Sequence, residues 1–287
     1  MKILVIGATG MLGYQCIEFF LNKNNIKLSC TCRKKNKFLK IAEDQNDIKV
    51  YENVDISNFL NVKKIISLIK PDLVINCAGA IKQKSIGLNS IDAININGLF
   101  PHRLASLADK FNFKLVLVST DCVFKGDKGN YTENDPSDCN DIYGKSKYIG
   151  EIANNSNVLT IRTSIVGIEY ESKLSLLSWF LSQSIEVKGY TKAIYSGVPT
   201  TYLADFIYNN FNLKGLYHLS SEPISKYNLL KIFKKYYSHD VKIHVDSSYI
   251  LDRSLKSEKL MNEINFTQPN WNDLVKFLPA RRFNLHT

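Results

Sequence analysis

Residues 2–20 constrain this chain more than any other stretch. Lys2-Ile3-Leu4-Val5-Ile6 is a short apolar run suited to a buried strand, and Gly7-Ala8-Thr9-Gly10-Met11-Leu12-Gly13 follows at once. Leu12, Cys16, Phe19 and Phe20 then recur at helical spacing. Strand, glycine-rich turn and helix in that order admit few folds. Glycines at Gly-x-x-Gly-x-x-Gly spacing permit a tight turn and close backbone approach, so the amides at the helix start can face a pyrophosphate. Three glycines can also make an ordinary turn. Their position directly after a first strand favours cofactor binding by Gly7, Thr9, Gly10, Met11, Leu12 and Gly13.

The next segments repeat the alternation of strand and helix. A second strand, about Lys27 to Cys32, ends on Arg33-Lys34-Lys35, where a site for NAD usually carries an Asp or Glu for the ribose hydroxyls. Cations there favour a 2′-phosphate, hence NADPH/NADP. Arg33 offers the better grip because a guanidinium presents two donors, whereas Lys34 and Lys35 also suit a solvated loop. Val54-Asp55-Ile56-Ser57 is expected to end a third strand, with Asp55 and Ile56 flanking the adenine. Ser57 would cap a helix carrying Leu60, Ile65, Ile66 and Ile69, stopped by Pro71. Pro71 to Ala80 reads as a fourth strand whose small residues Cys77, Ala78 and Gly79 let the chain pass under a cofactor, although Gly79 also fits a plain turn. A helix from Asn97 to Phe111 and a fifth strand from Lys114 to Thr120 follow, with Ser119 also on the cofactor side. Right-handed crossovers make this an α/β fold with a doubly wound parallel sheet of the Rossmann type, its site at the strands' C-terminal edge.

The 287 residues suffice for a main domain with a smaller lobe, and 45% hydrophobic with 22% charged residues excludes a disordered or fibrous chain. No apolar stretch approaches the roughly 20 residues that span a bilayer, so no membrane partner and a cytoplasmic location are expected. Six cysteines lack zinc or redox spacing and are expected as reduced thiols; no metal is expected. The net charge of +10 comes from scattered lysines without a basic tract, which argues against a nucleic-acid partner and is compatible with a diphosphate-bearing ligand. Oligomeric state stays open, a homodimer being compatible.

Tyr143-Gly144-Lys145-Ser146-Lys147 sets a phenol and an ammonium four residues apart, on one face of a helix. Carbonyl reduction needs a proton donor for the oxygen as hydride reaches the carbon, and a phenol with a pKa of about 10 is improved by a nearby cation. Tyr143 would donate, Lys147 would supply the cation and hold the nicotinamide ribose, and the Thr120 hydroxyl would hold the carbonyl oxygen.

With Gly7 to Gly13, Ser119-Thr120-Asp121-Cys122-Val123-Phe124, Tyr143 to Lys147 and Gly150-Glu151 in this order, the chain resembles the extended short-chain dehydrogenase/reductase family, most of all its dTDP-4-dehydrorhamnose reductase branch. Arg162 to Gly167, Gly215 to Ser220 and Asp252-Arg253-Ser254 resemble later motifs of that branch. The resemblance implies NADPH-dependent reduction of a 4-keto-6-deoxy hexose on a nucleoside diphosphate, with Thr120, Tyr143 and Lys147 as the catalytic trio. It implies an NADP-binding domain over 1–166, to which a segment near 198–212 returns, and a substrate lobe over 167–287. Asn97 matches the family's helix asparagine, which supports the catalytic lysine, but it equally suits a helix cap.

On the substrate side, Lys82, Asp121, Cys122, Trp179 and Arg253 are the candidates. Arg253 would take the diphosphate, with a surface arginine as the plain alternative. Trp179 lies in an apolar helical pattern that also fits core or lobe packing. Cys122 departs from the branch, which often has Tyr there, and resembles GDP-fucose synthase. With Lys173 it suggests proton exchange at C3 or C5 before reduction, against the reading that Cys122 only packs. Residues 175–183 and 189–199 resemble members acting on UDP-linked 2-acetamido sugars. UDP-N-acetyl-L-rhamnosamine is therefore the first product expected and dTDP-L-rhamnose the second. A non-catalytic regulatory subunit, such as that of methionine adenosyltransferase, is the rival from another class.

Overall fold

A computed structural model of the chain describes residues 1–81, 89–170 and 173–279. Its strands are β1 (Lys2–Ile6), β2 (Lys27–Thr31), β3 (Ile48–Tyr51), β4 (Leu73–Asn76), β5 (Lys114–Thr120) and β6 (Val158–Thr163). The shorter β7 (Ile165–Val166), β8 (Glu186–Tyr190), β9 (Ala193–Tyr195) and β10 (Val198–Pro199) follow, then β11 (Gly215–His218), β12 (Ile224–Ser225), β13 (Lys242–Asp246) and β14 (Leu251–Asp252). Seven of them form one sheet in the order β11-β6-β5-β4-β1-β2-β3, every pair parallel. The order reverses between β1 and β4, the switch point at which ligands of such sheets bind.

Why these strands are apolar throughout is visible in the side-chain alternation. Ile3 and Val5 point into one core, shared with Leu12, Cys16, Ile17 and Phe20 of α1 (Met11–Leu21). Leu4 and Ile6 point into the other, shared with Val62 and Ile66 of the helix before β4 and Leu104 of the helix before β5. A strand buried on both faces has no solvent side, so polar alternation disappears.

Further along come α2 (Lys37–Gln45), α3 (Phe59–Ile69), α4 (Ser90–Ala93) and α5 (Phe100–Phe111). The expectation for residues 54–60 is corrected here. The third strand stops at Tyr51, Asp55 accepts bonds from the Ser57 amide (2.9 Å) and hydroxyl (2.8 Å), and α3 starts after Asn58. Ser57 cannot cap the helix because its hydroxyl is spent on Asp55. Leu60 is 64% exposed, the buried positions being Val62 and Ile66. The expected start of the next helix at Asn97 is corrected as well: α4 begins at Ser90, and a π-helical segment, Ile94–Leu99, joins it to α5 with Asn97 inside. The fourth strand is shorter than expected, ending at Asn76.

The remaining helices are α6 (Ile142–Ile149), α7 (Leu176–Ser182), α8 (Thr200–Asn210), α9 (Lys226–Tyr236), α10 (Glu258–Ile264) and α11 (Trp271–Leu274). After β10 pairs with β7, α8 packs on α1 and β11 adds to the sheet beside β6. The main sheet thus includes β11, up to His218. Outside it, β9 is flanked by β12 and β14, and β13 pairs with β8. All six cysteines are free thiols, and among the described residues no helix is long and apolar enough to cross a membrane.

Candidate active site

The glycine loop is built so that nothing larger fits. Gly7 sits at φ +85°, and a Cβ there would meet the Ala78 nitrogen at 2.8 Å. A Cβ on Gly13 would lie 2.2 Å from the Gly7 carbonyl oxygen, so only glycine lets α1 pack this closely on the loop. The α1 N-terminus is capped by no side chain and has no acid in its first turn. Thr9 is exposed, Met11 half-buried, and Leu12 turns its side chain into the core. Such a cradle of bare amides fits the pyrophosphate of a dinucleotide.

Beyond β2, Arg33 and Lys34 are exposed and pair with no carboxylate among the described residues, whereas Lys35 is held by Glu43 at 2.6 Å. Arg33 and Lys34 thus stand exposed just beyond β2. Asp55 lies near Arg33, its carboxyl held low by the Ser57 bonds, and Ile56 packs on the second core. Cys77 follows β4 with its sulfur 4.0 Å from that of Cys16, and Gly79 faces the Asn97 amide oxygen.

Asn97 is 1% exposed and works as a clamp. It accepts from the Ala80 amide (2.9 Å) and donates to the Ala80 carbonyl (2.9 Å) and the Ser146 hydroxyl (3.0 Å), tying the loop after β4 to α6. It is a tie between elements, not a helix cap.

Two devices seat α6. Asp141 caps it by accepting from the Gly144 amide at 2.9 Å. Gly144 lies so close to the turn after β5 that a Cβ would come within 2.2 Å of the Cys122 carbonyl oxygen. That approach sets the Tyr143 phenol close to the Thr120 hydroxyl. Thr120, at the end of β5, also donates to Asp121 (3.1 Å) and accepts from the Cys122 amide (3.1 Å). Burial, then the Cys122 thiol and the Asp121 and Asp141 carboxyls, push the Tyr143 phenol well above its ordinary pKa. Lys147 points its ammonium at the Val118 carbonyl (2.7 Å). Burial pulls its pKa down to about 8, with Glu151 opposing. The expected lowering of Tyr143 by a neighbouring cation is therefore corrected: Lys147 is spent on a backbone carbonyl, and the charges that reach the phenol are negative.

Under this turn runs a buried ionic chain. Glu151 accepts from the Ser119 hydroxyl (2.6 Å) and grips Arg162 through Nε (2.8 Å) and Nη2 (2.7 Å), both side chains 5% exposed. Arg162 in turn meets His218 at 3.3 Å, and burial followed by this guanidinium drops the imidazole to about 3.

Arg253, from the far end of the chain, reaches the same turn. Its Nε donates to the Phe124 carbonyl (2.8 Å) and its Nη1 to the Cys122 sulfur (3.4 Å). Burial, then Asp121, pushes the Cys122 thiol up to about 12. Lys173 is exposed; the cations that act on Cys122 and Asp121 are Arg253 and Lys226, the latter absent from the sequence reading. Trp179 is half-buried and packs against the main core. Lys82 lies outside the described residues.

Residues 1–244 match the family model described as the RmlD substrate binding domain. The chain belongs to that family. Relatives of this RmlD-type chain include a dTDP-4-dehydrorhamnose reductase of Aggregatibacter actinomycetemcomitans, 27% identical over 77% of this chain and 74% of that protein. The methionine adenosyltransferase 2 subunit beta of Danio rerio is 31% identical over 52% of this chain but only 42% of that protein. Among solved structures, the dTDP-4-dehydrorhamnose reductase of Bacillus anthracis in complex with NADP superposes with a TM-score of 0.75 at 22% identity, covering 96% of this chain and 97% of that one. The RmlD-type fold is thus shared with that structure.

Proposed function

We propose that this protein is an NADPH-dependent reductase of the 4-keto group of a nucleoside-diphosphate 4-keto-6-deoxy sugar. What supports it is the placement of Thr120 at the end of β5 and of Tyr143 and Lys147 on α6, which packs on that strand, at the C-terminal edge of a sheet whose switch point holds an uncapped glycine loop. The A. actinomycetemcomitans relative, named for this reaction, supports the substrate class.

NADPH, when bound, supplies hydride. Gly7 to Gly13 and the α1 amides would hold its pyrophosphate, Arg33 and Lys34 its 2′-phosphate, and residues 77–79 and Asn97 would line its nicotinamide half. Thr120 orients the carbonyl oxygen, and Tyr143, whose raised pKa keeps it protonated, gives that oxygen its proton. Lys147 holds the ribose while anchored at the Val118 carbonyl. A Cys122 thiol held near 12 is a poor base at neutral pH, which speaks for simple reduction without prior epimerisation.

UDP-2-acetamido-2,6-dideoxy-hexos-4-ulose is the first substrate to test, giving UDP-N-acetyl-L-rhamnosamine, and dTDP-4-dehydrorhamnose the second. The experiment is product analysis by NMR after reduction in deuterated water. Deuterium-free ring carbons and a new hydroxyl at C4 are expected; deuterium at C3 or C5 would establish the epimerase-reductase instead. Tight NADPH binding without turnover on any such sugar would favour a regulatory subunit.

A further inference from the structure

At the turn after β5 one carboxyl faces two cations. Asp121 supplies one carboxylate, while Arg253 and Lys226 both bear on it electrostatically from the small sheet. That sheet explains why residues so distant in sequence meet. Ser225 of β12 and Asp252 of β14 both pair with Ile194 of β9, so Lys226 and Arg253, each one residue beyond its strand, flank the same short strand. Lys226 is half-buried at the start of α9, and Arg253 is already committed to the Phe124 carbonyl and the Cys122 sulfur.

Tyr195, the last residue of β9, adds an independent sign. It is 8% exposed, and its hydroxyl lies beside Ser164 without a hydrogen bond of good geometry. A buried hydroxyl left without a partner keeps an uncompensated desolvation cost, and a single carboxyl faces two half-buried cations. Asp121, in the turn that presents Thr120, acts electrostatically on both cations and on the Tyr195 hydroxyl, and an anionic oxygen entering there would relieve both deficits.

We propose that Lys226 is a substrate-binding residue that, with Arg253, holds a phosphate oxygen of the sugar nucleotide's diphosphate, and that the Tyr195 hydroxyl donates to the same ligand. This deepens the reductase reading and rests on it for the identity of the ligand. Burial and Arg253 lower the Lys226 pKa in the free protein, and Asp121 and Cys122 oppose them; a bound phosphate would add to the opposition.

The test is calorimetric titration of UDP, dTDP, UMP and dTMP into the NADP-loaded protein for wild type, Lys226→Met, Lys226→Arg and Tyr195→Phe, with melting temperatures and NADPH affinity measured alongside. Lys226→Met should weaken the nucleoside diphosphate by about ten- to a hundredfold, the nucleoside monophosphate less, and NADPH not at all. Lys226→Arg should recover most of the loss, and Tyr195→Phe should lose a smaller factor without lowering the melting temperature. Unchanged diphosphate binding in Lys226→Met, or no diphosphate binding by wild type, overturns the proposal. Diphosphate binding that depends on Lys226 in a protein that reduces no sugar overturns the reductase reading alone.

Discussion

Replacing Glu151 with Gln removes one charge and almost no volume, and it should reach both the fold and the chemistry. Glu151 grips Arg162 with two short bonds, 2.7 and 2.8 Å, and each side chain is only 5% exposed. The amide can still accept one bond, but it leaves a guanidinium out of water with neutral neighbours, the His218 ring at 3.3 Å and the face of Phe124 at 5.3 Å. Breaking a buried pair by removing one partner costs about 3–5 kcal/mol, against a total stability of about 5–15 kcal/mol for a folded domain. Urea denaturation should therefore show a markedly lower midpoint. The same carboxylate helps Lys147 keep its proton against burial, so its loss should move the Lys147 pKa further below about 8. The alkaline limb of kcat/KM should shift to lower pH in the variant. An unchanged midpoint would mean that His218 and Phe124 satisfy Arg162 unaided. An unchanged limb would mean that Glu151 does not act on Lys147.

Four further outcomes follow from the geometry. In wild type, kcat/KM for keto reduction should be flat at neutral pH and fall by about tenfold per pH unit above roughly 8, because Lys147 loses its proton there while the raised Tyr143 phenol keeps its own. Gly144→Ala should abolish turnover and also weaken NADPH, since the new methyl would strike the Cys122 carbonyl and push α6, with Tyr143 and the ribose-holding Lys147, away from Thr120; kcat and NADPH titration check it. Arg33→Ala should raise the KM for NADPH by roughly tenfold or more and leave that for NADH unchanged, as expected when one charged phosphate contact is lost. Asn97→Ala should cost about 2–4 kcal/mol by denaturation, three bonds at 2.9–3.0 Å being lost from a buried site.

The main sheet was legible because its strands are buried on both faces and write themselves as unbroken apolar runs: Lys2–Ile6 and Lys114–Thr120 carry the same limits in sequence and structure. The glycine spacing and the Tyr143–Lys147 interval were legible because each encodes a single local geometry. What depends on competing local bonds was not. Ser57 could have capped α3 but bonds Asp55, and the π-helical turn around Asn97 has no signature that separates it from an α-helix. Lys147 reads as a partner of Tyr143 by spacing alone, yet a carbonyl of β5 claims it. Lys226 escaped for a different reason. Its neighbours come from strands of two and three residues, separated by some seventy to a hundred and thirty positions from the turn they serve, and no periodicity marks such a pairing.

The most direct measurement is the oxidation of NADPH by wild type and Tyr143→Phe in the presence of freshly prepared UDP- and dTDP-linked 4-keto-6-deoxy sugars. The account predicts steady turnover by wild type on one of them. The variant should fall by about a hundredfold or more, with NADPH affinity and melting temperature unchanged. Turnover that survives in Tyr143→Phe would contradict the assignment of the proton donor, and a wild type inert toward every such sugar would contradict the reductase itself.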